Sequence, residues 1–169
     1  NSHSLAKETV MENPYPTETG CCPRFDPEPW NEKEFEWDNR RFIKDRVRCL
    51  FHMPLNFGKA MIRTMEKIEK ADAFTPEPPL ALSDHTSKWN MDLYIEVTRQ
   101  VPDAENVHLS GAYLSKVFEG PFKDTGKWCE QMGEWVKSKG KEIKRYLMYY
   151  TTCPKCAKHY GKNYVVIFA

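Results

Sequence analysis

The sequence predicts an α+β fold: a tandem strand–helix–strand–strand repeat whose strands form an antiparallel sheet, with two helices on one face and a ligand cleft on the pseudo-twofold axis. Three observations predict it. The junction Phe51-His52-Met53-Pro54, followed by Gly58-Lys59, returns as Phe118-Glu119-Gly120-Pro121, followed with one inserted residue by Gly126-Lys127. Each junction leads into a stretch with apolar residues at helical spacing. Each such stretch is followed by two short strand-like segments. A junction used twice within 169 residues suggests one supersecondary unit in two copies. Neither copy could bury its helix face alone, so the two should share one sheet.

The elements follow in order. Residues 1–39 are read as an extended N-terminal arm and the start of a hairpin. Pro14, Pro16, Pro23, Pro27 and Pro29 break any periodic face there. Residues 33–37 and 40–51 read as strands joined at Asp38-Asn39. In the second, Ile43, Val47, Cys49 and Phe51 share one parity, and Lys44, Arg46 and Arg48 take the other. Residues 40–169 then form one domain, with repeat one at about 40–100 and repeat two at about 105–169.

Pro54 ends the strand and Asn56 is placed to cap a helix. Phe57, Met61, Met65 and Ile68 form its apolar face, and Pro76, Pro78 and Pro79 terminate it. Residues 80–83 and 91–97 read as a hairpin around 84–90. Val101-Pro102-Asp103 begins a linker. Residues 107–118 are the next strand, stopped at Pro121. Asp124 is a candidate cap for a helix whose stripe is Trp128, Met132 and Val136, with Cys129 beside it. Gly140 is placed to stop that helix. Residues 146–150 and 164–168 make the second hairpin, around a long loop.

Composition narrows the function classes. Net charge is +1, which gives no electrostatic case for nucleic acid or an anionic membrane as partner. No apolar run approaches the roughly 20 residues that span a bilayer. No apolar segment follows a basic N-terminus, so no signal peptide is expected. The six cysteines include an adjacent pair and a C-x-x-C, which do not resemble a secreted disulfide framework. A reducing, cytoplasmic compartment is the expectation. Eight Tyr and five Trp suit a pocket for flat ligands, although most aromatics fill cores.

Two stretches carry a family resemblance. Met91-Asp92-Leu93-Tyr94-Ile95-Glu96-Val97-Thr98-Arg99-Gln100-Val101-Pro102 resembles the end of a first repeat in GyrI-like small-molecule-binding proteins. Gly111-Ala112-Tyr113-Leu114-Ser115-Lys116-Val117-Phe118-Glu119-Gly120-Pro121-Phe122 is similar to the start of that family's second repeat, and residues 128–135 lie where its second helix would be. The resemblance covers roughly residues 40–169. It implies the tandem fold and a cleft for hydrophobic, often cationic or planar, ligands. Some members are ligand-sensing parts of transcription regulators. Stand-alone members include cyclopropanoid cyclopropyl hydrolases, which open reactive cyclopropane rings of DNA-alkylating natural products. One departure stands out. The family often has an acid in the strand after the second helix, and here Tyr146-Leu147-Met148-Tyr149 has Leu147 instead. The arm also shows no helix-turn-helix pattern, so a DNA-binding regulator is not expected from this chain by itself.

Candidate chemistry falls on a few residues. Tyr94 and Glu96 alternate with Leu93, Ile95 and Val97. If the aliphatic set packs under the helices, Tyr94 and Glu96 face the groove, and a one-residue slip reverses the assignment. A carboxylate there could activate water, and a tyrosine could protonate a developing oxyanion. The alternative is a solvent-facing strand surface. His52 and Glu119 follow the matched phenylalanines and could share acid–base work near the axis; the plainer reading is two solvated strand ends. Trp89, Tyr113, Tyr149 and Phe118 are the candidate ligand walls, and only one of Tyr149 and Tyr150 can face the groove.

Cys153-Pro154-Lys155-Cys156 reads as a metal knuckle. Tetrahedral zinc needs two more ligands, and Cys21 and Cys22 supply the other close sulfur pair, with His159 in reserve. A structural zinc is therefore expected and no organic cofactor; free thiols or a local disulfide are the alternative. Phe25 and Trp30 read either as anchors of a lid or as an arm packed along the body. Lys137, Lys139, Lys141, Lys144 and Arg145 read as a solvated helix end. The sequence thus points to a cytoplasmic protein binding a small hydrophobic or aromatic ligand, with no nucleic acid and no membrane as partner. It either hydrolyses a reactive electrophile, with Glu96 or Glu119 as general base on water, or sequesters ligand without turnover.

Overall fold

The computed structural model describes residues 24–51, 53–77, 79–151, 158 and 160–169, with Met53 and Pro54 by backbone alone. Cys21, Cys22, His52, Cys153, Cys156 and His159 lie outside the described residues.

A 3-10 turn at Glu28–Trp30 leads into β1, Lys33–Leu50. The expected hairpin at Asp38-Asn39 is instead a bulge inside this one strand. The register slips between Trp37 and Arg40, yet both flanking segments pair with the same later strand, β5 (Glu105–Glu119). Asn39 stands at φ 47, a left-handed conformation that asparagine tolerates. Bulges bend and twist a strand. That bend lets β1 pair with β5 along its first part and with β4 (Asn90–Glu96) along its last, from Phe42 to Arg48.

Phe51 turns the chain at φ 48 into the short β2, Met53–Pro54, which pairs back on β1. α1, Phe57–Lys70, buries Ala60, Thr64 and Ile68. Phe57, Met61 and Met65 pack half-buried against the same core, so all four residues of the expected face lie on it. Asn56 occupies the cap position but makes no side-chain cap bond, and Asp124 before α2 makes none either. β3 (Ala81–Asp84) and β4 form an antiparallel hairpin. After β5, α2 (Thr125–Ser138) buries Trp128, Met132 and Val136, and Gly140 follows it at φ 71. β6 (Leu147–Tyr150) and β7 (Tyr164–Phe168) form the last antiparallel pair.

The strands pair in the order β1-β4-β3-β6-β7-β5, and β5 pairs again with β1. The α+β fold is therefore an antiparallel six-stranded barrel with two helices, where the sequence suggests only a sheet. Closure removes the two free edges that an open sheet would present. Strand alternation sorts the side chains. Met91, Leu93 and Ile95 of β4 pack under α1. Leu114, Phe118, Val165 and Ile167 pack under α2. The opposite parity makes a third cluster, in which Phe42, Leu82, Leu147, Val166 and Phe168 are fully buried. Eight strands give an interior that side chains just fill. Six give a narrower one, and large aromatics fill it. No helix among the described residues is long and apolar enough to cross a membrane.

Candidate functional site

β4 presents Asp92, Tyr94 and Glu96 on the side away from α1, because its odd-numbered residues are committed to the helix core. Tyr94 is 6% exposed and belongs to the inner cluster. Two cations flank its ring. Lys44 Nζ lies 5.9 Å from the ring centroid and the Arg145 guanidinium 5.6 Å from it, within the range of cation–π attraction.

Arg145 organises the site. It stands between α2 and β6, half-buried, and donates to Asp84 Oδ2 at 2.9 Å. It also reaches Tyr94 Oη at 3.4 Å. Burial pulls its pKa down, but the Tyr94 contact and the Asp84 charge more than offset this and hold it above the ordinary arginine value. It is a permanent cation. Asp92 lies opposite Asp84 in the β3–β4 ladder and is 5% exposed. Its carboxylate sits 3.6 Å from both Lys44 Nζ and Arg46 Nε, and Oδ1 is buried with no hydrogen-bond partner.

Arg145 also borders a recess of about 350 Å³, with Tyr113, Leu114, Val136, Lys141 and Lys144 among its walls. Arg145 therefore lines open space and also holds the Asp84–Tyr94 pair. Tyr113 connects the recess to the inner cluster, its ring 4.3 Å from that of Trp37.

The structure brings some of the expected site residues together and separates others. Tyr94 and Glu96 share a face, but Arg40 holds the Glu96 carboxylate in a close ion pair. Glu119 is exposed at the end of β5, opposite Tyr164 on β7. β5 does not border β4, and the proposed partner His52 lies outside the described residues. Tyr149 faces the inner cluster, while Tyr150 faces α2. Tyr150 Oη lies 3.1 Å from His85 Nε2, and burial above all pushes its pKa up to about 12. Phe118 lies under α2, stacked on Trp128 at 6.0 Å, on the opposite face from Tyr113 and Tyr149. Trp89 is exposed and packs on Phe51.

Phe25 and Trp30 lie along the body, in ring contact with Tyr149 at 6.2 and 5.9 Å. Ser115 Oγ donates to the Trp30 carbonyl at 2.6 Å and fastens the turn. Among the described residues no group of three or more His, Cys, Asp or Glu side chains could hold a metal ion.

Sequence reasoning misses Asp84, Asp92, Lys44 and Arg145. Asp92 carries a signal, since it shares the parity of Tyr94 and Glu96. Asp84 shares the parity of Leu80 and Leu82, but a strand boundary placed at 83 hides it. Arg145, expected at a solvated helix end, is instead half-buried and paired, because the chain folds back there against β3 and β4. The β3–β6 ladder matches Leu82 with Tyr149 and Ser83 with Met148. Continued one step, it sets Asp84 across from Leu147.

The fold has solved relatives. An uncharacterized conserved protein from Listeria innocua superposes with a TM-score of 0.58 at 11% identity, covering 82% of this chain and 92% of that chain. A hydrolase from Listeria innocua gives 0.57 at 12% identity, covering 82% and 90%. A second hydrolase from that organism gives 0.54 at 12% identity, covering 82% and 92%. At such identities the likeness shows the fold. The sequence has no match among curated proteins. The family model described as bacterial hydrolase matches residues 12–169, nearly the whole chain. The chain belongs to the bacterial hydrolase family.

Proposed function

We propose that the protein binds a small hydrophobic or aromatic molecule at the recess beside Arg145 and hydrolyses it. The observation that carries this reading is the double engagement of Arg145, which lines the recess while holding Asp84 and reaching Tyr94. Asp84 acts as general base on water, and Arg145 with Tyr94 stabilises the negative charge that develops on the substrate. Tyr113 contributes an aromatic wall, and Tyr149, turned to the inner cluster, lies outside the recess lining. Glu96, held by Arg40, and Glu119, exposed on β5, are the alternative bases, with His52 as the partner of Glu119. The family model supports hydrolysis as the reaction class.

The finer form of the proposal is the GyrI-like one. The two halves are copies of one unit, supported by the β1–β5 and β3–β6 pairings, each of which joins corresponding strands. The substrate is a reactive electrophile such as an activated cyclopropane. Water adds to a ring carbon, the strained ring bond breaks, and its electron pair passes to a conjugated carbonyl oxygen. The base takes the proton from water. Incubation with a cyclopropane-bearing alkylator, followed by detection of ring-opened product, tests this. Turnover should fall about a hundredfold in Asp84→Asn, and unchanged turnover there would remove Asp84 from the mechanism.

A second reading is a binding or sequestration module without turnover. The ion pair that occupies Glu96 and the leucine at 147 favour it. Protection of the alkylator's target in stoichiometric amounts, with no product, would establish it over hydrolysis. Two further proposals stand on the sequence: cytoplasmic placement, and a structural zinc on Cys21, Cys22, Cys153 and Cys156 that staples the arm to the second hairpin. Metal analysis of the purified protein and of Cys153→Ser tests the zinc, and metal-free protein would refute it.

A further inference from the structure

The β1–β2 turn and the β3–β4 loop meet at one tip of the molecule. Cys49 N donates to the Trp89 carbonyl at 2.7 Å, which ties the two segments together, and Leu55 N donates to the Arg48 carbonyl at 2.9 Å, which closes the β1–β2 turn on itself. This tip carries four large apolar side chains in water: Leu50 at 49%, Phe51 at 68%, Leu55 at 57% and Trp89 at 53% exposure. Phe51 stands at the turn with φ 48, and its ring packs on Trp89 at 5.4 Å. So many exposed apolar side chains held together by backbone bonds mark an interaction site.

Shape and charge select the occupant. The residues sit on a turn and a loop, whereas a bound peptide helix seeks a groove. The charges carried by the two segments at the tip are of one sign. Arg48, Lys59 and Lys88 are exposed, Arg46 lies further along β1 beside Asp92, and residues 48–63 and 85–91 contain no Asp or Glu. The whole-chain charge of +1 conceals this, but charges beyond about 8 Å are screened at physiological salt, so the local set decides. Aromatic side chains ringed by basic ones suit an anionic lipid interface, where rings enter the headgroup layer and cations meet phosphates.

We propose that this tip docks the protein on an anionic membrane surface, with Phe51 and Trp89 entering the headgroup layer and Arg48 and Lys88 pairing with lipid phosphates. The proposal is independent of the hydrolase reading.

Co-sedimentation of the full chain with vesicles tests it. The chain should sediment with phosphatidylcholine vesicles containing phosphatidylserine, and about tenfold less with phosphatidylcholine alone or in high salt. Phe51→Ser with Trp89→Ser should weaken binding about tenfold, while the circular dichroism spectrum stays unchanged. Arg48→Glu with Lys88→Glu, at exposed positions, provides the same test without touching the apolar residues. Absence of sedimentation, or equal binding to neutral vesicles, would overturn the proposal. A concentration-dependent dimer that the Phe51→Ser and Trp89→Ser changes dissolve would also overturn it, since the tip would then cover a second copy of the chain.

Discussion

Arg145 couples the proposed base to the proposed oxyanion donor, so its loss should be felt twice. Arg145→Gln leaves the Asp84 carboxylate and the Tyr94 hydroxyl without the cation between them. In the alkylator assay it should cost at least as much as Asp84→Asn, about a hundredfold in turnover. Arg145→Lys keeps the charge but loses the planar fork that serves two partners, and should recover only part of the rate. Tyr150 offers a separate test by pH. Its pKa is raised from 10.0 to about 12 by burial, so it binds its proton more tightly folded than unfolded. The stability this represents is fully present below pH 10 and is lost as pH rises through 12, by about 2–3 kcal/mol. Chemical denaturation at pH 9 and pH 12 should show that decline in the parent chain and a smaller one in Tyr150→Phe. An equal decline in both would assign the alkaline loss to other groups.

At the scale of elements, helix faces and strand parity are legible in the amino-acid pattern. Phe57, Met61, Met65 and Ile68 on α1, and Trp128, Met132 and Val136 on α2, follow from local periodicity and lie where it puts them. Tyr94 faces away from α1 because Leu93 and Ile95 must face it. The bulge at Asn39 is not legible, because a two-residue polar interruption fits a hairpin turn equally well. Only the pairing of both flanks with β5 decides between them. Capping is legible in place but not in bond: Asn56 and Asp124 hold the positions without the side-chain contacts. The α2 junction carries its own prediction. Gly120 stands at φ 145, and an added Cβ would come within 3.3 Å of the Trp128 ring. Gly120→Ala should therefore destabilise the protein by about 1–3 kcal/mol in a denaturant titration, where the same change at Gly126, which has open space around it, would cost nothing.

For the molecule as a whole, closure of the barrel governs what the inner face can do. β1 and β5 pair from Lys33 to Lys44, and this seam turns an open concave sheet into a ring. Phe42 is buried in that ring without exposed surface, packed near Trp37 at 6.3 Å. Phe42→Ala should cost about 3–5 kcal/mol, because a six-stranded ring cannot collapse around the cavity left behind. A much smaller loss would mean that the interior repacks and that the inner face is softer than its burial implies. The recess beside Arg145 lies where β5 meets the segment after α2, so the proposed ligand would reach it at that junction without opening the ring.

Short-range pattern is enough to specify the α+β class, most element positions, both helix faces and the side of β4 on which Tyr94 and Glu96 lie. All of these follow from interactions within a few residues, whose spacing is written in the chain. Long-range pairing settles the rest: the sheet closes, Glu96 is taken by Arg40, Phe118 lies under α2, and Asp84 and Arg145 meet at Tyr94. Asp84 and Arg145 are 61 residues apart, and Arg40 and Glu96 are 56 apart. No local pattern encodes such pairs. They arise because strand register, once set by the packed faces, brings distant polar residues to one height on the barrel.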